Sequence, residues 1–345
     1  MASLTQIIAE ISKKNPNSIR MGTVTAPMNI RRFDINNLYL AYLFRGGMPD
    51  SVLYELYGNP SCGKSVLAYT MLACWQKMPE NKERVAAIFD NECTHDDIWA
   101  ATLGVDMSRV LLWQPKNNEC AEELFDIIIN TADTGEVGFM ILDSIGSLVP
   151  KARKDKKSFE EKTMGGISAA LTDFVNDFNS RRSKHHITFV AINQMRDDLD
   201  NQYSKGHSPG GKAFKHHCSI RLLLSDADYF NFKGEGCSKY ADPAGFHIVV
   251  IVEKNKATLN DRKRTTLTFR FVSGIDCLQD NVDFAVAHGY IGGAGAWYEV
   301  TDYETGEVLP KKINGLNNLY KYFRENPSKL DAMVKHIMND IKEEA

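Results

Sequence analysis

The segment from Gly58 to Ser65 constrains the fold of this chain more than any other stretch. It has the pattern G-x-x-x-x-G-K-[ST], with two glycines, a lysine and a hydroxyl side chain at fixed spacing. The pattern needs a strand before it and a helix after it, because curled backbone N–H groups and a helix amino terminus must converge on one anion. An apolar run over 52–57 and a helical pattern over 64–77 meet this requirement.

This loop predicts a binding site for a nucleoside triphosphate, ATP, with Mg²⁺. Lys64 would neutralise charge on the β- and γ-phosphates, and Ser65 would be a ligand of the magnesium ion. A chance match to the pattern is the alternative, and the flanking strand and helix argue against it. The residues predicted to bind the nucleotide through this loop are Gly58, Asn59, Pro60, Ser61, Cys62, Gly63, Lys64, Ser65 and Val66.

The middle of the chain alternates strand-like and helix-like stretches. Such alternation predicts an α/β fold with a mostly parallel central sheet and helices on its faces. Three later strands, near 219–224, 246–253 and 265–272, follow one another too closely for crossover helices, so they predict an antiparallel extension. Earlier strands are predicted over 52–57, 85–90, 110–113, 139–143 and 187–193, and helices over 64–77, 97–103, 121–132 and 168–180.

Three domains are predicted along the chain. Residues 1–34 are predicted to form an N-terminal helix and linker, because Leu4, Ile7, Ile8 and Ile11 have helical spacing. A short helix cannot bury this apolar stripe alone, so we expect it to dock on the core of its own chain or on another subunit. Residues 35–274 form the ATPase core. Residues 275–345 form a small C-terminal α+β domain, with helices near 314–325 and 328–342 separated at Pro327.

Composition excludes several classes of protein. With 43% hydrophobic residues in 345, the chain can form a large core, and a net charge of −3 confines any nucleic-acid surface to local segments. The seven cysteines lack a CxxC pair, which argues against zinc and for free thiols. We find no signal peptide or apolar run of about 18 residues, so the expectation is a soluble, cytoplasmic protein.

Polar side chains follow three of the predicted strands, at the edge where ligands bind in parallel α/β sheets. Asp143 is expected to hold Mg²⁺, although an aspartate there could instead cap a helix. Glu92 is the best group to deprotonate an attacking water, with a surface glutamate as the alternative. Gln194 could sense the γ-phosphate by hydrogen bonding.

Taken together, these residues resemble those of the RecA recombinases, strand-exchange ATPases that polymerise on DNA. The resemblance covers about residues 5–340 and implies a RecA-type P-loop ATPase core. Blocks shared in order are Tyr54-Glu55-Leu56-Tyr57-Gly58, Ile88-Phe89-Asp90-Asn91-Glu92, Leu103-Gly104-Val105-Asp106, Gln114-Pro115, Leu142-Asp143-Ser144 to Leu148-Val149-Pro150, Ile192-Asn193-Gln194-Met195-Arg196, Gly210-Gly211, Lys254-Asn255-Lys256 and Gly293-Ala294-Gly295-Ala296-Trp297-Tyr298.

The resemblance implies roles by position. Glu92 falls on the catalytic glutamate and Gln194 on the glutamine that couples the γ-phosphate to a DNA loop. Trp99 falls on the aromatic residue that stacks on adenine, with a half-buried core aromatic as the alternative, and Asp96 falls on its neighbour that contacts the exocyclic amine. Lys254 and Lys256 fall on lysines that reach the ATP of the adjacent subunit, as arginine fingers do.

Two segments, near 150–167 and 195–211, correspond to the DNA-binding loops of the family. From Lys151 to Lys157 the first carries five positive charges and one negative, which favours phosphate binding, with a solvated charge run as the alternative. Met164 and Leu199 fall where apolar side chains insert between bases. The full predicted DNA-binding set is Lys151, Arg153, Lys154, Lys156, Lys157, Met164, Gly165, Arg196, Leu199, Gly210, Gly211 and Lys212.

The chain departs from the family at several positions. His216 replaces a phenylalanine that packs into the next subunit, and Ala169 and Asn176 replace arginines that support DNA. With a more basic first loop, the DNA contacts are hypothesised to have moved from the following helix into that loop. The compact, divergent chain also suggests a phage or plasmid origin.

The resemblance implies a DNA-dependent ATPase that forms helical homo-oligomeric filaments on single-stranded DNA and pairs it with double-stranded DNA. Single-strand-binding and mediator proteins would be further partners. Two alternatives stay open: a ring-forming helicase or translocase, disfavoured by the Ala294–Tyr298 block, and an ATP-switched DNA scaffold, disfavoured by Glu92.

Overall fold

The structure is a computed structural model that describes residues 4–14, 31–117, 119–154, 166–195, 208–258 and 261–344. The chain divides into two compact units, residues 1–31 and 32–345. In the first unit, helix α1 (Leu4–Lys14) exposes Ile7 and Ile11. An apolar stripe therefore lies along this helix, as the spacing of its isoleucines predicts.

The second unit is built on a ten-stranded sheet, with two smaller sheets beside it. The strands are β1 (Arg32–Phe33), β2 (Met48–Pro49), β3 (Leu53–Gly58), β4 (Val85–Asp90), β5 (Val110–Trp113), β6 (Val137–Asp143), β7 (Thr188–Gln194), β8 (Ile220–Phe230), β9 (Gly236–Cys237), β10 (Gly245–Asn255), β11 (Arg264–Arg270), β12 (Gly274–Ile275), β13 (Gly292–Ala294), β14 (Trp297–Glu299) and β15 (Ile313–Asn314).

Helices cover both faces of the large sheet and form most of the C-terminal part. They are α2 (Leu38–Leu43), α3 (Lys64–Gln76), α4 (Asp97–Thr102), α5 (Ala121–Asp133), α6 (Lys151–Lys154), α7 (Ile167–Lys184), α8 (Gly211–His217), α9 (Cys277–Ala287), α10 (Leu316–Glu325) and α11 (Pro327–Glu343). No helix in the described ranges is long and apolar enough to cross a membrane.

Nine strands of the large sheet run in the order β12-β11-β10-β8-β3-β7-β6-β4-β5, and the tenth, β9, pairs antiparallel with the end of β8. The six strands from β8 to β5 pair in parallel, whereas β10, β11 and β12 add antiparallel pairs. The mostly parallel α/β fold and its antiparallel extension are thus confirmed. The register sets Gly58 opposite Gln194 and Asp90 opposite Asp143, which aligns the predicted site residues along one edge.

Aromatic packing fixes the helices on the sheet. On one face Phe125 of α5 stacks on Phe174 of α7 with ring centroids 4.5 Å apart, and Phe178 packs edge-on against Phe189 of β7. Trp75 of α3 packs against Phe139 of β6 and is fully buried. Each such aromatic contributes about 1.5–3 kcal/mol by burial, so the strand ends that carry the site sit on a rigid base.

A second core joins α2 to α9, α10 and α11 through buried residues such as Leu38, Phe284 and Phe323. Sequence patterns did not predict α2 or α9. Both are stabilised by distant partners, since the Asn37 side chain caps α2 and also donates to Asp280 of α9 at 2.7 Å. Strands β8 and β10 also extend beyond their predicted ends, to Phe230 and from Gly245, as a long hairpin.

Candidate nucleotide-binding site

The glycine loop joins the end of β3 to the start of α3, as its sequence pattern requires. A side chain at Gly58 would lie 2.0 Å from the carbonyl oxygen of Leu224, and one at Gly63 would lie 2.4 Å from Ile248 Cδ1. Gly63 also has a φ of +93°, a conformation that side chains rarely adopt. Glycine is therefore favoured at both positions, at Gly58 by the close carbonyl oxygen and at Gly63 by its backbone conformation.

Lys64 is the first residue of α3, and its side chain folds back over the loop. Its Nζ donates hydrogen bonds to the carbonyl oxygens of Asn59 at 2.6 Å and Gly58 at 3.2 Å. The residue is buried, and Nζ lies 3.8 Å from Cys62 Sγ. The ammonium therefore stays at the loop, where the positive end of α3 adds to its attraction for an anion.

Ser65 and Asp143 meet beside the glycine loop. Ser65 Oγ donates a hydrogen bond of 2.9 Å to Asp143 Oδ2, and Asp143 lies at the end of β6. Burial, with smaller contributions from the nearby Glu92 and Asp90, raises the pKa of Asp143 to about 6 against the lowering effects of Ser65 and Lys64. A hydroxyl and a buried carboxylate whose charged form needs a cation are the oxygen donors that Mg²⁺ prefers, so the residues fit that ion.

Glu92 lies just beyond the end of β4 and accepts two hydrogen bonds on one oxygen. Ser144 Oγ donates to its Oε1 at 2.5 Å and Gln194 Nε2 donates to the same atom at 3.1 Å. The Asp143–Ser144 peptide bond is cis. The hydrogen bonds from Ser144, after β6, and Gln194, at the end of β7, orient the Glu92 carboxylate.

A pocket of about 320 Å³ adjoins the loop and contains Trp99 of α4. Asp96 caps α4, because its Oδ1 accepts hydrogen bonds from the N–H groups of Ile98 and Trp99. The pocket is lined by Ser61, Gly63, Lys64, Ser65, Val66, Trp99, Phe246, Phe269 and Phe271. An aromatic pocket beside a phosphate loop suits a planar base.

The three phenylalanines of this pocket were not found by sequence reasoning. Phe246 of β10 and Phe269 of β11 are directly paired across the antiparallel strands, with ring centroids 4.9 Å apart. The ring centroid of Phe271 lies 5.5 Å from that of Phe269. The run of alternating aromatic residues near the end of β11 was the available signal, but its link to the loop depends on the hairpin register.

Lys254 and Lys256 lie at the opposite end of the sheet from the loop. Gly58 is level with Leu224 of β8, whereas Lys254 is level with Arg221 and the N–H of Lys256 bonds to Ser219. Along the strands Lys254 is three residues from the level of Gly58 and Lys256 is five, about 10 and 16 Å. Strand β8 also lies between β10 and β3, which adds two interstrand spacings of about 5 Å each, so the distances exceed the reach of a lysine side chain. These two lysines therefore cannot reach the phosphate loop of their own chain.

Lys254 has partners of its own at that end. Its Nζ donates hydrogen bonds to the carbonyl oxygens of Lys215 at 2.7 Å and His216 at 2.8 Å. Both residues belong to the last turn of α8. Burial lowers the pKa of Lys254, and repulsion from Lys256 lowers it further. Lys256 and His216 are exposed at this edge.

The predicted DNA-binding residues are only partly within the described ranges. Lys151, Arg153 and Lys154 form α6 and are exposed, and Lys154 Nζ lies 3.5 Å from Glu123 Oε2. Gly210 has a φ of +111° at the start of α8, where Gly211 and the exposed Lys212 follow. The remaining predicted residues lie outside the described ranges: Lys156, Lys157, Met164, Gly165, Arg196 and Leu199.

A strand, a glycine loop and a helix at the carboxyl edge of a mostly parallel sheet, with a buried aspartate beside the loop hydroxyl, define an α/β protein of the P-loop class. The model of the RecA N-terminal domain matches residues 2–276. This chain belongs to the RecA family.

Individual RecA proteins are similar in sequence to this chain over most of their length. The RecA protein of Thermus aquaticus is 31% identical over 295 residues, which are 85% of this chain and 80% of that protein. The RecA protein of Mycoplasma mycoides is 28% identical over 335 residues, 96% of this chain and 92% of the relative. The RecA protein of Leptospira meyeri is 28% identical over 340 residues, which are 97% of this chain and 82% of that protein. These relatives lend no support to a phage or plasmid origin.

Proposed function

We propose that this protein is a DNA-dependent ATPase that polymerises on single-stranded DNA and catalyses homologous pairing and strand exchange. One observation carries the proposal: the residues expected to act on one ATP lie at opposite ends of the subunit. The phosphate loop, Asp143 and Glu92 are at one end, and Lys254 and Lys256 are at the other. A complete site therefore needs two subunits arranged head to tail, and such an interface generates a helical filament when the rotation between subunits does not close.

The chemistry of hydrolysis follows from the loop edge. Glu92 would take a proton from water as the water oxygen bonds to the γ-phosphorus, and the bond from that phosphorus to the β-phosphate oxygen breaks to release ADP. Lys64 and the loop N–H groups would hold the phosphate oxygens. Mg²⁺ bound through Ser65 and Asp143 would supply positive charge against the growing negative charge on the leaving oxygen.

Gln194 provides a route between nucleotide and DNA. Its side chain donates to Glu92, and it is the last residue of β7, directly before the second predicted DNA loop. A change at the γ-phosphate that moves Glu92 would move Gln194 with it. This contact supports hydrolysis that depends on DNA rather than constant turnover.

DNA binding is supported by charge at the two loops. The exposed cations of α6 and Lys212 of α8 follow the carboxyl ends of β6 and β7. The remaining residues of both loops, including Met164 and Leu199, stay predictions from the sequence. Binding through such cations is salt-sensitive and weakly dependent on base sequence.

Assembly is supported by two apolar surfaces. Helix α1 has an exposed stripe with Ile7 and Ile11. Strand β5 is an edge of the sheet and exposes Leu111 and Leu112. An apolar strand left at the edge of a sheet is a site of pairing with another chain, which fits repeated addition of subunits.

Electron microscopy with single-stranded DNA and a slowly hydrolysed ATP analogue tests this proposal. Extended helical filaments that turn over ATP in a DNA-dependent manner are the expected result. Closed rings would overturn it in favour of a helicase or translocase. Filaments that form but never hydrolyse ATP would favour a scaffold in which ATP is only a switch.

A further inference from the structure

His95 is a buried histidine that lies between the helix of the phosphate loop and the helix that carries Trp99. Its side chain is 1% exposed. Tyr69 Oη of α3 is 2.8 Å from His95 Nδ1, and Asp97 Oδ1 of α4 is 2.9 Å from His95 Nε2. The Tyr69 and His95 rings meet edge-on, with centroids 5.6 Å apart. Both ring nitrogens are therefore used, one toward each helix.

The hydrogen bonds define how the ring is arranged. A neutral imidazole with its proton on Nε2 donates to Asp97 and accepts from the Tyr69 hydroxyl, which satisfies all three groups. The backbone of His95 is held as well, since its N–H donates to Asp90 Oδ2 at 2.8 Å and Gln114 Nε2 donates to the same oxygen. His95 is thus fixed to α3, α4 and the end of β4.

The tether matters because α4 itself is packed mainly through one residue, although Gln76 of α3 also bonds to the Asp106 backbone after the helix. Of its six residues only Ala100 is buried, and Ile98 is 81% exposed. Tyr69 is one turn along α3 from Ser65, and Asp97 is two residues before Trp99, so the hydrogen bonds join the phosphate end of the pocket to its aromatic wall. At the amino end of α4, these polar contacts hold the helix against α3.

We propose that His95 is a positioning residue for the nucleotide base. By tying α4 to α3, it holds Trp99 at the distance from the phosphate loop that one adenine nucleotide requires. It does not touch the phosphates, so its effect falls on the affinity for the base-containing ligand. This inference rests on the proposed ATP-binding function and adds a residue that determines affinity at the same site.

Calorimetric titration with ATP and with inorganic triphosphate separates base from phosphate binding. His95→Ala should weaken ATP binding about tenfold, because it removes two hydrogen bonds, each worth a few-fold in affinity. Binding of inorganic triphosphate should stay within about twofold, and kcat at saturating ATP should hold while KM rises. His336→Ala, in the C-terminal part, is the control and should change neither.

Variants of the two partners test the individual bonds. Tyr69→Phe and Asp97→Ala should each weaken ATP binding about threefold to fivefold. Asp97→Asn keeps an oxygen that can accept from Nε2, so it should restore most of the affinity lost in Asp97→Ala.

The outcomes distinguish this inference from the function it rests on. Equal losses for ATP and triphosphate in His95→Ala would overturn the positioning role alone. Unchanged ATP binding in His95→Ala, Tyr69→Phe and Asp97→Ala would do the same. If the unmodified protein binds neither ligand, the proposed ATPase function fails. A fall in kcat without a rise in KM would also overturn the role, because it would indicate action on the chemical step.

Discussion

Lys254 Nζ lies 2.8 Å from the carbonyl oxygen of His216, at the end of the helix that follows the second predicted DNA loop. The lysine proposed to reach a neighbour's ATP is therefore a cap for α8 within its own subunit. Substitution of Lys254 removes a cation and a helix cap together. An experiment on this residue must separate the two effects.

Lys254→Gln loses the charge but keeps an amide donor for the α8 carbonyl oxygens, whereas Lys254→Ala loses both. We expect both variants to lower DNA-stimulated ATP hydrolysis by about 10³-fold, as loss of a cation supplied in trans does. ATP binding by the isolated monomer should stay intact, since this lysine cannot reach its own loop. Steady-state hydrolysis and monomer titration measure the two quantities.

Lys263→Ala is the matched control, because Lys263 is an exposed lysine just before β11. It should retain DNA-stimulated hydrolysis. Failure of the Lys254 variants to bind ATP as monomers would contradict the shared site.

Asp143→Asn should stabilise the ligand-free protein while abolishing its magnesium-dependent nucleotide binding. The folded pKa of about 6 exceeds the ordinary value of 3.8, so folding disfavours the charged carboxylate. The contribution of Asp143 to stability is therefore highest below pH 3.8, falls as the pH rises to about 6, and is constant above it. The difference in pKa corresponds to about 3 kcal/mol, which the amide recovers at pH 8.

Urea unfolding at pH 8 and pH 5 measures this gain, which should be smaller at pH 5. Asp126→Asn, at an exposed aspartate of α5, is the control and should show no comparable gain. A gain of equal size at both pH values would indicate that relief of charge burial is not its cause.

Loss of the α6 cations should reduce the salt dependence of DNA binding. Each phosphate contact contributes about 0.7 to the slope of log affinity against log salt for single strands. The double variant Lys151→Ala/Arg153→Ala should therefore lower the magnitude of the slope by about 1.4 if both residues contact phosphates. Fluorescence anisotropy with a labelled oligonucleotide at several salt concentrations gives the slope.

The matched control is Lys82→Ala/Lys184→Ala. These lysines precede β4 and β7, at the amino ends of the strands, so they lie on the opposite edge from α6. The same decrease in both double variants would point to general charge instead of a loop contact.

The sequence was sufficient for the parts of the fold that local patterns determine. An apolar run followed by a glycine loop identifies β3, the loop and α3, and buried runs that end in polar residues identify β4, β6 and β7. Parallel pairing then brings Glu92, Asp143 and Gln194 to one edge without further information. The contacts among them could not be predicted, since they depend on side-chain rotamers.

Other features depend on contacts between distant segments. Phe246 and Phe269 line the base pocket only because the β10–β11 register pairs them. Asn37 and Asp280, 243 positions apart, stabilise α2 and α9 together. His95 had no motif to mark it, because its partners come from two different helices. The predicted domain boundaries and site roles stay predictions.

The distance between the phosphate loop and Lys254 within one subunit has a consequence for filament length. A head-to-tail row has one fewer shared site than it has members, because one terminal loop meets no lysines and one terminal pair of lysines meets no nucleotide. In a short row, the terminal loop without lysines would thus be a large fraction of all ATP sites. In a long row it would be a very small fraction. Turnover per subunit should rise with length toward a plateau, and the two termini should differ in how readily they lose a subunit.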